Sequence, residues 1–214
     1  MGFNYWTFSK KDEKIAKECL DNFTGISVRE KSSIKLIRKH LGIKASFVLD
    51  PTLLINKKFY LKIINNYKIQ NNFKDNCILT YIFLKERNTK NFIKNASHQL
   101  GYTIFRVKKG DENSVQKFIY GMFKCKAVIT NSFHGTIFSI IFNKPFVTFI
   151  FKDSPKERLI SLKNVFKIEN RIFEYNKTPN MNLLTTPLKI NRNLINSLKI
   201  QSINFIKNNL GMKK

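Results

Sequence analysis

Four polar side chains stand together inside one of the most apolar stretches of the chain. The segment AVITNSFHGTIFSIIFNKPFVTFIF covers residues 127–151, and it contains Thr130, Asn131, Ser132 and His134. Hydroxyl and amide groups can bind a phosphate or cap a helix. A histidine ionises near neutral pH and can therefore donate or accept a proton there. We take this cluster as the first candidate site.

The pattern around the cluster predicts a strand, a turn and a helix. A buried strand is expected over 127–130, a helix over about 134–143 and a second strand over 145–151. In parallel α/β sheets, ligands bind where a strand ends and a helix begins, and the helix N-terminus attracts anions. Gly135 has no side chain, so we expect it to let a phosphate approach closely.

A simpler interpretation of the same residues is structural. In that interpretation Asn131 or Ser132 only caps the helix, and His134 packs against a loop. The residues of this turn do not by themselves separate the two interpretations.

A second candidate follows another predicted strand. In GISVREKSS, Arg29 and Glu30 lie between a strand and a helix. The guanidinium fork of an arginine suits phosphate or carboxylate. The alternative is a surface ion pair of Arg29 with Glu30 or with another nearby carboxylate.

Strands alternating with helices predict an α/β fold with Rossmann-like parallel sheets. Residues 1–50 read as strand, helix, strand, helix, strand, with a first strand over 1–8. Glycines are expected to end helices at Gly42 and Gly101. The predicted organisation is an N-terminal α/β domain over 1–55, a linker with one helix over 56–75, a Rossmann-like domain over 76–188, and a C-terminal helix over 189–214.

Two predicted helices carry apolar residues at helical spacing, which indicates a face packed on the core. In the first, over 10–23, these residues are Ile15, Cys19, Leu20 and Phe23. In the second, which Ser114 is expected to cap, they are Val115, Phe118, Ile119, Met122 and Phe123.

Composition narrows the class of protein. The 214 residues carry a formal net charge of +25, which would suit a nucleic acid or an anionic membrane face. The lysines are scattered along the chain, however, so we interpret the charge as compositional and expect no nucleic-acid partner. Peripheral contact with an anionic membrane stays open. Apolar runs without a polar break are shorter than the ~18 to 20 residues of a membrane span.

The N-terminus and the cysteines indicate a cytoplasmic protein. The first residues show no charged and then apolar pattern of a signal peptide. Three cysteines lie far apart without a CxxC pair, which suits a reducing compartment and argues against a zinc site. We expect no metal.

Taken together, these segments resemble the polysaccharide pyruvyl transferase family. The resemblance rests on ISVREKSSIKLIRKHLG, on VLDPTLL and on SVQKFIYGMFKCKAVITNSFHGTIFSIIFNKPFVTF, in that order. It implies a fold similar to the two-domain B-type glycosyltransferases, with the active site in the interdomain cleft. It also implies transfer of a pyruvyl group from phosphoenolpyruvate to sugar hydroxyls of a surface polysaccharide, forming a ketal without metal or organic cofactor.

The resemblance assigns roles to individual residues. Arg29 matches an arginine near the donor, and His134 matches a histidine that contacts the donor and acts in catalysis. Ser132 and Phe133 fill the two preceding positions, where some branches have arginine and leucine. Asn131 stands where close relatives are expected to have aspartate, so we expect it to keep a cap and lose a charge.

Three further donor-binding residues complete the expected site. Gly135 belongs to it through its position in the turn. Lys152 and Arg158 follow the last core strand, and we expect them to replace the cation that Ser132 removes; this expectation is our own and not a family position.

The resemblance also implies that the chain begins near the end of the first domain, which is then incomplete. A second copy or a partner chain would cover the exposed sheet edge. Two other functions stay open: a glycosyltransferase of the same fold that uses a nucleotide sugar, and a basic nucleic-acid-binding module.

Overall fold

The computed structural model describes residues 9–65, 67, 73–83, 86–108, 110–111, 114–152 and 156–211. The chain divides into two compact units. Residues 1–54, 155–167 and 191–214 form the first unit, and residues 55–154 and 168–190 form the second. The strand expected over residues 1–8 lies outside the described residues. The predicted α/β class with parallel sheets is confirmed.

The described helices are α1 (Lys10–Leu20), α2 (Lys31–Leu41), α3 (Pro51–Leu54), α4 (Lys57–Ile63), α5 (Arg87–Leu100), α6 (Ser114–Lys124), α7 (Phe133–Ile141), α8 (Glu157–Phe166) and α9 (Arg192–Asn209). The described strands are β1 (Ile26–Val28), β2 (Ala45–Phe47), β3 (Cys77–Tyr81), β4 (Thr103–Arg106), β5 (Ala127–Thr130), β6 (Phe146–Ile150) and β7 (Ile172–Glu174). Short 3-10 helices cover Glu169–Arg171 and Met181–Leu184.

In the first unit, β1 and β2 pair in parallel, with Ser27 opposite Ser46. Helix α2 connects them and ends at Gly42, whose φ of +69° is a conformation that glycine adopts readily. Helix α9 returns from the end of the chain to this unit, where the Ser202 hydroxyl accepts a hydrogen bond of 2.9 Å from the Leu49 N–H. The predicted stop at Gly42 is therefore confirmed.

The second unit is built on a five-stranded parallel sheet in the order β4-β3-β5-β6-β7. Every residue of β5 and β6 is buried, as expected for central strands covered on both faces. Helix α5 ends at Gly101 with φ of +65°, which confirms the second predicted stop. Because all five strands are parallel, their carboxyl ends lie along one edge of the sheet.

The helix predicted over 10–23 is present as α1 over Lys10–Leu20, but its apolar face is not buried. Ile15, Cys19 and Phe23 are exposed, and α1 contains no buried residue. A polar contact joins α1 to α2 instead: His40 Nδ1 lies 2.6 Å from a carboxylate oxygen of Glu13. Apolar spacing alone therefore did not show which surface of α1 faces its neighbour.

The predicted face of α6 is correct only in part. Ile119 and Met122 are buried, but Val115 and Phe123 are exposed. The buried face of α6 contains Gly121, where an added Cβ would lie 2.6 Å from a methyl group of Leu79. The close approach that Gly121 permits thus sets the orientation of α6. Ser114, expected to cap this helix, is its first helical residue.

A buried arginine holds the last part of the second unit together. Arg171 donates hydrogen bonds to the carbonyl oxygens of Leu183 at 2.5 Å, Thr186 at 2.8 Å and Phe146 at 3.4 Å. It thereby joins β6 to the segment around the second 3-10 helix. Neither this arginine nor β7 was predicted. None of the helices in the described part of the chain combines the length and apolar character that crossing a bilayer requires.

Candidate functional site

The turn after β5 is organised by a buried hydroxyl. Thr130 is fully buried, and its Oγ1 donates a hydrogen bond of 2.6 Å to the carbonyl oxygen of Tyr81 at the end of β3. Thr130 Oγ1 also accepts a hydrogen bond of 3.0 Å from the N–H of Ser132. Thr130 therefore links the carboxyl ends of two neighbouring strands and directs the chain into α7.

Ser132 is the cap of α7. Its hydroxyl accepts a hydrogen bond of 3.3 Å from the N–H of Gly135, and its carbonyl oxygen accepts one of 3.0 Å from the Thr136 N–H. Thr136 in turn shares a hydrogen bond of 2.8 Å with the hydroxyl of Thr148 on β6. The polar residues of this apolar segment are thus largely satisfied by one another, which is why the fold tolerates them in its interior.

Asn131 has a different role from the cap that we expected. Its Oδ1 accepts a hydrogen bond of 3.0 Å from the N–H of Phe83, beyond the end of β3. A carboxylate at this position would present the same acceptor. The exchange of an expected aspartate for asparagine therefore keeps the contact to the loop after β3, while the cap belongs to Ser132.

Gly135 is required by the protein itself. It is buried, and an added Cβ would lie 2.3 Å from Thr130 Oγ1, far closer than real Cβ contacts. The absent side chain makes room for Thr130, whereas we had expected it to make room for a phosphate. The sequence pattern contained no signal for this contact, because the two residues meet only after the turn has formed.

His134 is the second residue of α7, and its side chain is exposed although Ser132, Gly135 and Thr136 around it are buried. The Phe133 ring lies 5.4 Å from the imidazole, centre to centre, in an edge-to-face arrangement. The imidazole is thus presented in the first turn of a helix, at the carboxyl edge of a parallel sheet. That position suits contact with a bound ligand.

Lys152 belongs to the same edge of the second unit. It follows β6, which pairs in parallel with β5 through Thr130 and Thr148. Its side chain is exposed. The second unit therefore holds Lys152 together with the turn of residues 131–135.

Arg29 lies in the first unit, where it contacts an acidic residue that the sequence analysis did not select. Its Nη1 forms a hydrogen-bonded ion pair with Oδ2 of buried Asp50. The other carboxylate oxygen accepts bonds from Thr52, at 3.0 Å from N–H and 2.6 Å from Oγ1. The segments ISVRE and DPTLL, separated along the chain, thus meet in one hydrogen-bonded group.

The environment of Asp50 favours its charged form. Burial raises the pKa of the carboxyl, but hydrogen bonds from Thr52 and Arg29 and the charge of Arg29 outweigh burial, so the pKa lies below its ordinary value. The sequence did hold a signal for this residue, because an Asp two positions before a Thr commonly accepts its backbone N–H.

Arg158 also belongs to the first unit. Its Nε lies 3.9 Å from a carboxylate oxygen of Glu30, the residue after Arg29. Nearby on the same helix, the Ser161 hydroxyl accepts a hydrogen bond of 3.3 Å from the Lys31 N–H. The expected donor-binding residues therefore fall into two sets, with Arg29 and Arg158 in the first unit.

Comparison with protein families identifies the chain. The model of the family described as polysaccharide pyruvyl transferase matches residues 2–153. The chain belongs to the polysaccharide pyruvyl transferase family. The match includes Arg29, the turn of residues 131–135 and Lys152, whereas Arg158 lies beyond it. Comparisons with curated proteins and with solved structures give no match.

Membership of this family implies that the chain is a transferase. The turn that contains His134 lies within the matched residues. In the residues that the structure describes, no group of three or more His, Cys, Asp or Glu side chains could hold a metal ion. In the second unit, the turn after β5 presents hydroxyls, an amide and an imidazole, with Lys152 at the same edge of the sheet. In the first unit, Arg29 pairs with the carboxylate of Asp50.

The first prediction concerns Asp50 and pH. Because its pKa is lowered on folding, Asp50 stabilises the fold above its unfolded pKa of ~3.9, and this contribution is lost as pH falls through the lower folded pKa. Asp50→Asn should lower the free energy of unfolding in urea by about 1.5 to 3 kcal/mol at neutral pH. The difference from wild type should shrink below about pH 4. Asp75→Asn, at an exposed position, is the control; a pH-independent loss in Asp50→Asn would contradict the ion pair.

The second prediction concerns the contact of Gly135 with Thr130. Gly135→Ala should lower the free energy of unfolding by roughly 1 to 3 kcal/mol, because the methyl group overpacks the turn. Thr130→Ala removes the hydroxyl that the methyl group would meet. The double variant should therefore be less destabilised than the sum of the two single variants, as a double-mutant cycle would show. Strict additivity would mean that the clash is relieved elsewhere.

Proposed function

We propose that this family member transfers a pyruvyl group from phosphoenolpyruvate to hydroxyl groups of a surface saccharide. The observation that carries the proposal is the exposed His134 in the first turn of α7, inside the region that matches the family. The donor carries a phosphate and a carboxylate. Both are anions that a helix N-terminus and a strongly cationic chain attract.

The proposed reaction has two proton transfers. The methylene carbon of phosphoenolpyruvate gains a proton and becomes a methyl group, while a sugar hydroxyl oxygen bonds to the neighbouring carbon. A second hydroxyl oxygen displaces the phosphate, which closes the ketal. Of the two hydroxyl protons released, one is balanced by the new methyl group, and the other leaves with phosphate. A group that ionises near neutral pH is suited to one of these transfers.

His134 is the residue to which we assign this proton transfer. Its imidazole is exposed in the first turn of α7, and the hydroxyls of Thr130, Ser132 and Thr136 form hydrogen bonds that hold the turn in place. The turn is rigid because each of these bonds fixes backbone at the end of β5 or the start of α7. Rigid support of this kind keeps an exposed side chain in one position for chemistry.

Arg29 is assigned to the donor anion. The ion pair with Asp50 holds one guanidinium nitrogen, so the direction of the fork is set before any ligand arrives. Lys152 is assigned to the donor phosphate because it is exposed at the sheet edge that carries His134. Arg158 is the weaker donor candidate, because it lies beyond the residues that match the family.

The third prediction concerns ligand choice. Isothermal calorimetry should show tighter binding of phosphoenolpyruvate than of UDP-glucose, because the turn and the arginine suit small dianions. Arg29→Lys should weaken the binding of phosphoenolpyruvate by about 1.5 to 3 kcal/mol even though the charge is kept.

Arg192→Lys, at an exposed position, is the control for this substitution. Tighter binding of UDP-glucose would instead support a glycosyltransferase. Wild-type affinity in Arg29→Lys would show that Arg29 serves only Asp50.

The fourth prediction concerns His134. Glutamine keeps a hydrogen-bond donor but does not shuttle a proton. His134→Gln should therefore reduce turnover by ~10² to 10⁴ while the Kd for phosphoenolpyruvate stays nearly unchanged. Turnover is followed as phosphate release from phosphoenolpyruvate, with methyl hexopyranosides as acceptors.

His98→Gln is the matched control, because His98 is exposed on α5. Unchanged turnover with weakened donor binding would make His134 a phosphate ligand only. Unchanged behaviour in both measurements would remove it from the site.

A further inference from the structure

Helix α9 has two different faces. Leu198, Ser202, Phe205 and Asn209 recur at spacings of four, three and four, and they are buried or half-buried. Asn209 lies so close to Gly25 that an added Cβ there would be 2.0 Å from its Oδ1. This inner face is therefore fixed in the first unit.

A second stripe, centred about 100° around the helix from the first, repeats the same spacing with one half-buried lysine and three exposed apolar residues. Lys199, Ile203, Ile206 and Leu210 follow one another at four, three and four positions. The exposed fractions are 37% for Ile203, 42% for Ile206 and 68% for Leu210. The stripe therefore borders the buried face and extends the apolar surface of α9 beyond the part that is packed in the first unit.

A residue from the start of the chain extends this stripe. The Thr24 hydroxyl donates a hydrogen bond of 3.1 Å to the carbonyl oxygen of Asn209. The neighbours of these two residues, Phe23 and Leu210, are 63% and 68% exposed. The bond therefore brings a second exposed apolar segment to the C-terminal end of α9. We name the set Phe23, Ile203, Ile206 and Leu210 the apolar patch.

The charged side chains of α9 all have the same sign. Residues 191–214 contain no Asp or Glu, and α9 carries the cations Arg192, Lys199 and Lys207. Lys199 lies on the stripe itself, and Lys207 follows Ile206. The acidic residue nearest to the patch along the chain is Asp21, two residues before Phe23.

We propose that the apolar patch and the lysines of α9 bind the surface of an anionic lipid bilayer. Exposed isoleucine, leucine and phenylalanine side chains enter the boundary between head groups and acyl chains, and lysines bind the anionic head groups. A protein partner would match the apolar residues equally well, but the long segment without carboxylates favours a surface of uniform negative charge. The proposal does not depend on the donor or on His134.

The test is co-flotation of the full chain with lipid vesicles, without any substrate. Wild type should float with vesicles of equal parts phosphatidylglycerol and phosphatidylcholine, and much less with pure phosphatidylcholine. Salt should weaken the binding. Ile206→Asn with Leu210→Asn should reduce the partition coefficient about ten-fold or more, because apolar area is lost from the contact. Lys199→Gln and Lys207→Gln should each reduce it roughly five-fold.

Matched controls lie on the second unit. Val115→Ser replaces an apolar side chain that is 60% exposed on α6, and Lys90→Gln with Lys94→Gln removes two charges from exposed positions on α5. These variants should bind vesicles as wild type does. Thermal melting shows whether each variant is folded, and Leu210→Asn alone replaces the double variant if the latter melts early.

Three results would overturn the proposal: equal binding to both vesicle types, patch variants that float as wild type does, or equal losses in the controls. Sedimentation velocity adds a fourth. A dimer that Ile206→Asn dissociates would assign the apolar patch to a second copy of the chain.

Discussion

The contact between Thr130 and Gly135 is the constraint on which the rest of the turn depends. A hydroxyl fixed to the end of β3 occupies the space where a side chain at position 135 would stand. Helix α7 can therefore begin only where it does, with Ser132 as its cap and His134 pointing outward from the first turn. Substitutions at Thr130 or Gly135 would therefore shift the position of the His134 imidazole. The main role of the polar cluster in this apolar segment is therefore to join strand β5 to helix α7. The cluster is a candidate site because this junction presents His134 at the surface.

Much of the architecture could be predicted because it rests on local patterns. The alternation of apolar strands with amphipathic helices predicted parallel sheets, and Gly42 and Gly101 ended helices as expected. The orientation of the helices could not be predicted in the same way. The face of α6 is set by how closely Gly121 lets it approach Leu79, and the face of α1 by a contact between Glu13 and His40. Such contacts join residues that are distant along the chain and leave no periodic signal.

The candidate site shows the same division. His134 and Arg29 could be selected from their types and positions, because a strand-to-helix turn is a recognisable local feature. The residues that hold these two segments in place could not be selected in the same way. Asp50 becomes a partner of Arg29 only when β1 and β2 pair, and Asn131 meets the N–H of Phe83 only at the edge of the folded sheet. Sequence reasoning thus selected the exposed groups, while the buried groups that hold them required the structure.

The order of segments along the chain has a consequence for synthesis on the ribosome. The first unit takes residues from the beginning, from 155–167 and from the end of the chain. The bond of the Leu49 N–H to Ser202 joins residues 153 positions apart. Helices α1 and α2 therefore cannot complete their packing until α9 leaves the exit tunnel. Strands β3 to β6 of the second unit can already pair before that point. A nascent chain would thus contain most of the five-stranded sheet of the second unit before its first unit is complete. The interval before α9 emerges is therefore the period when a chaperone would matter most.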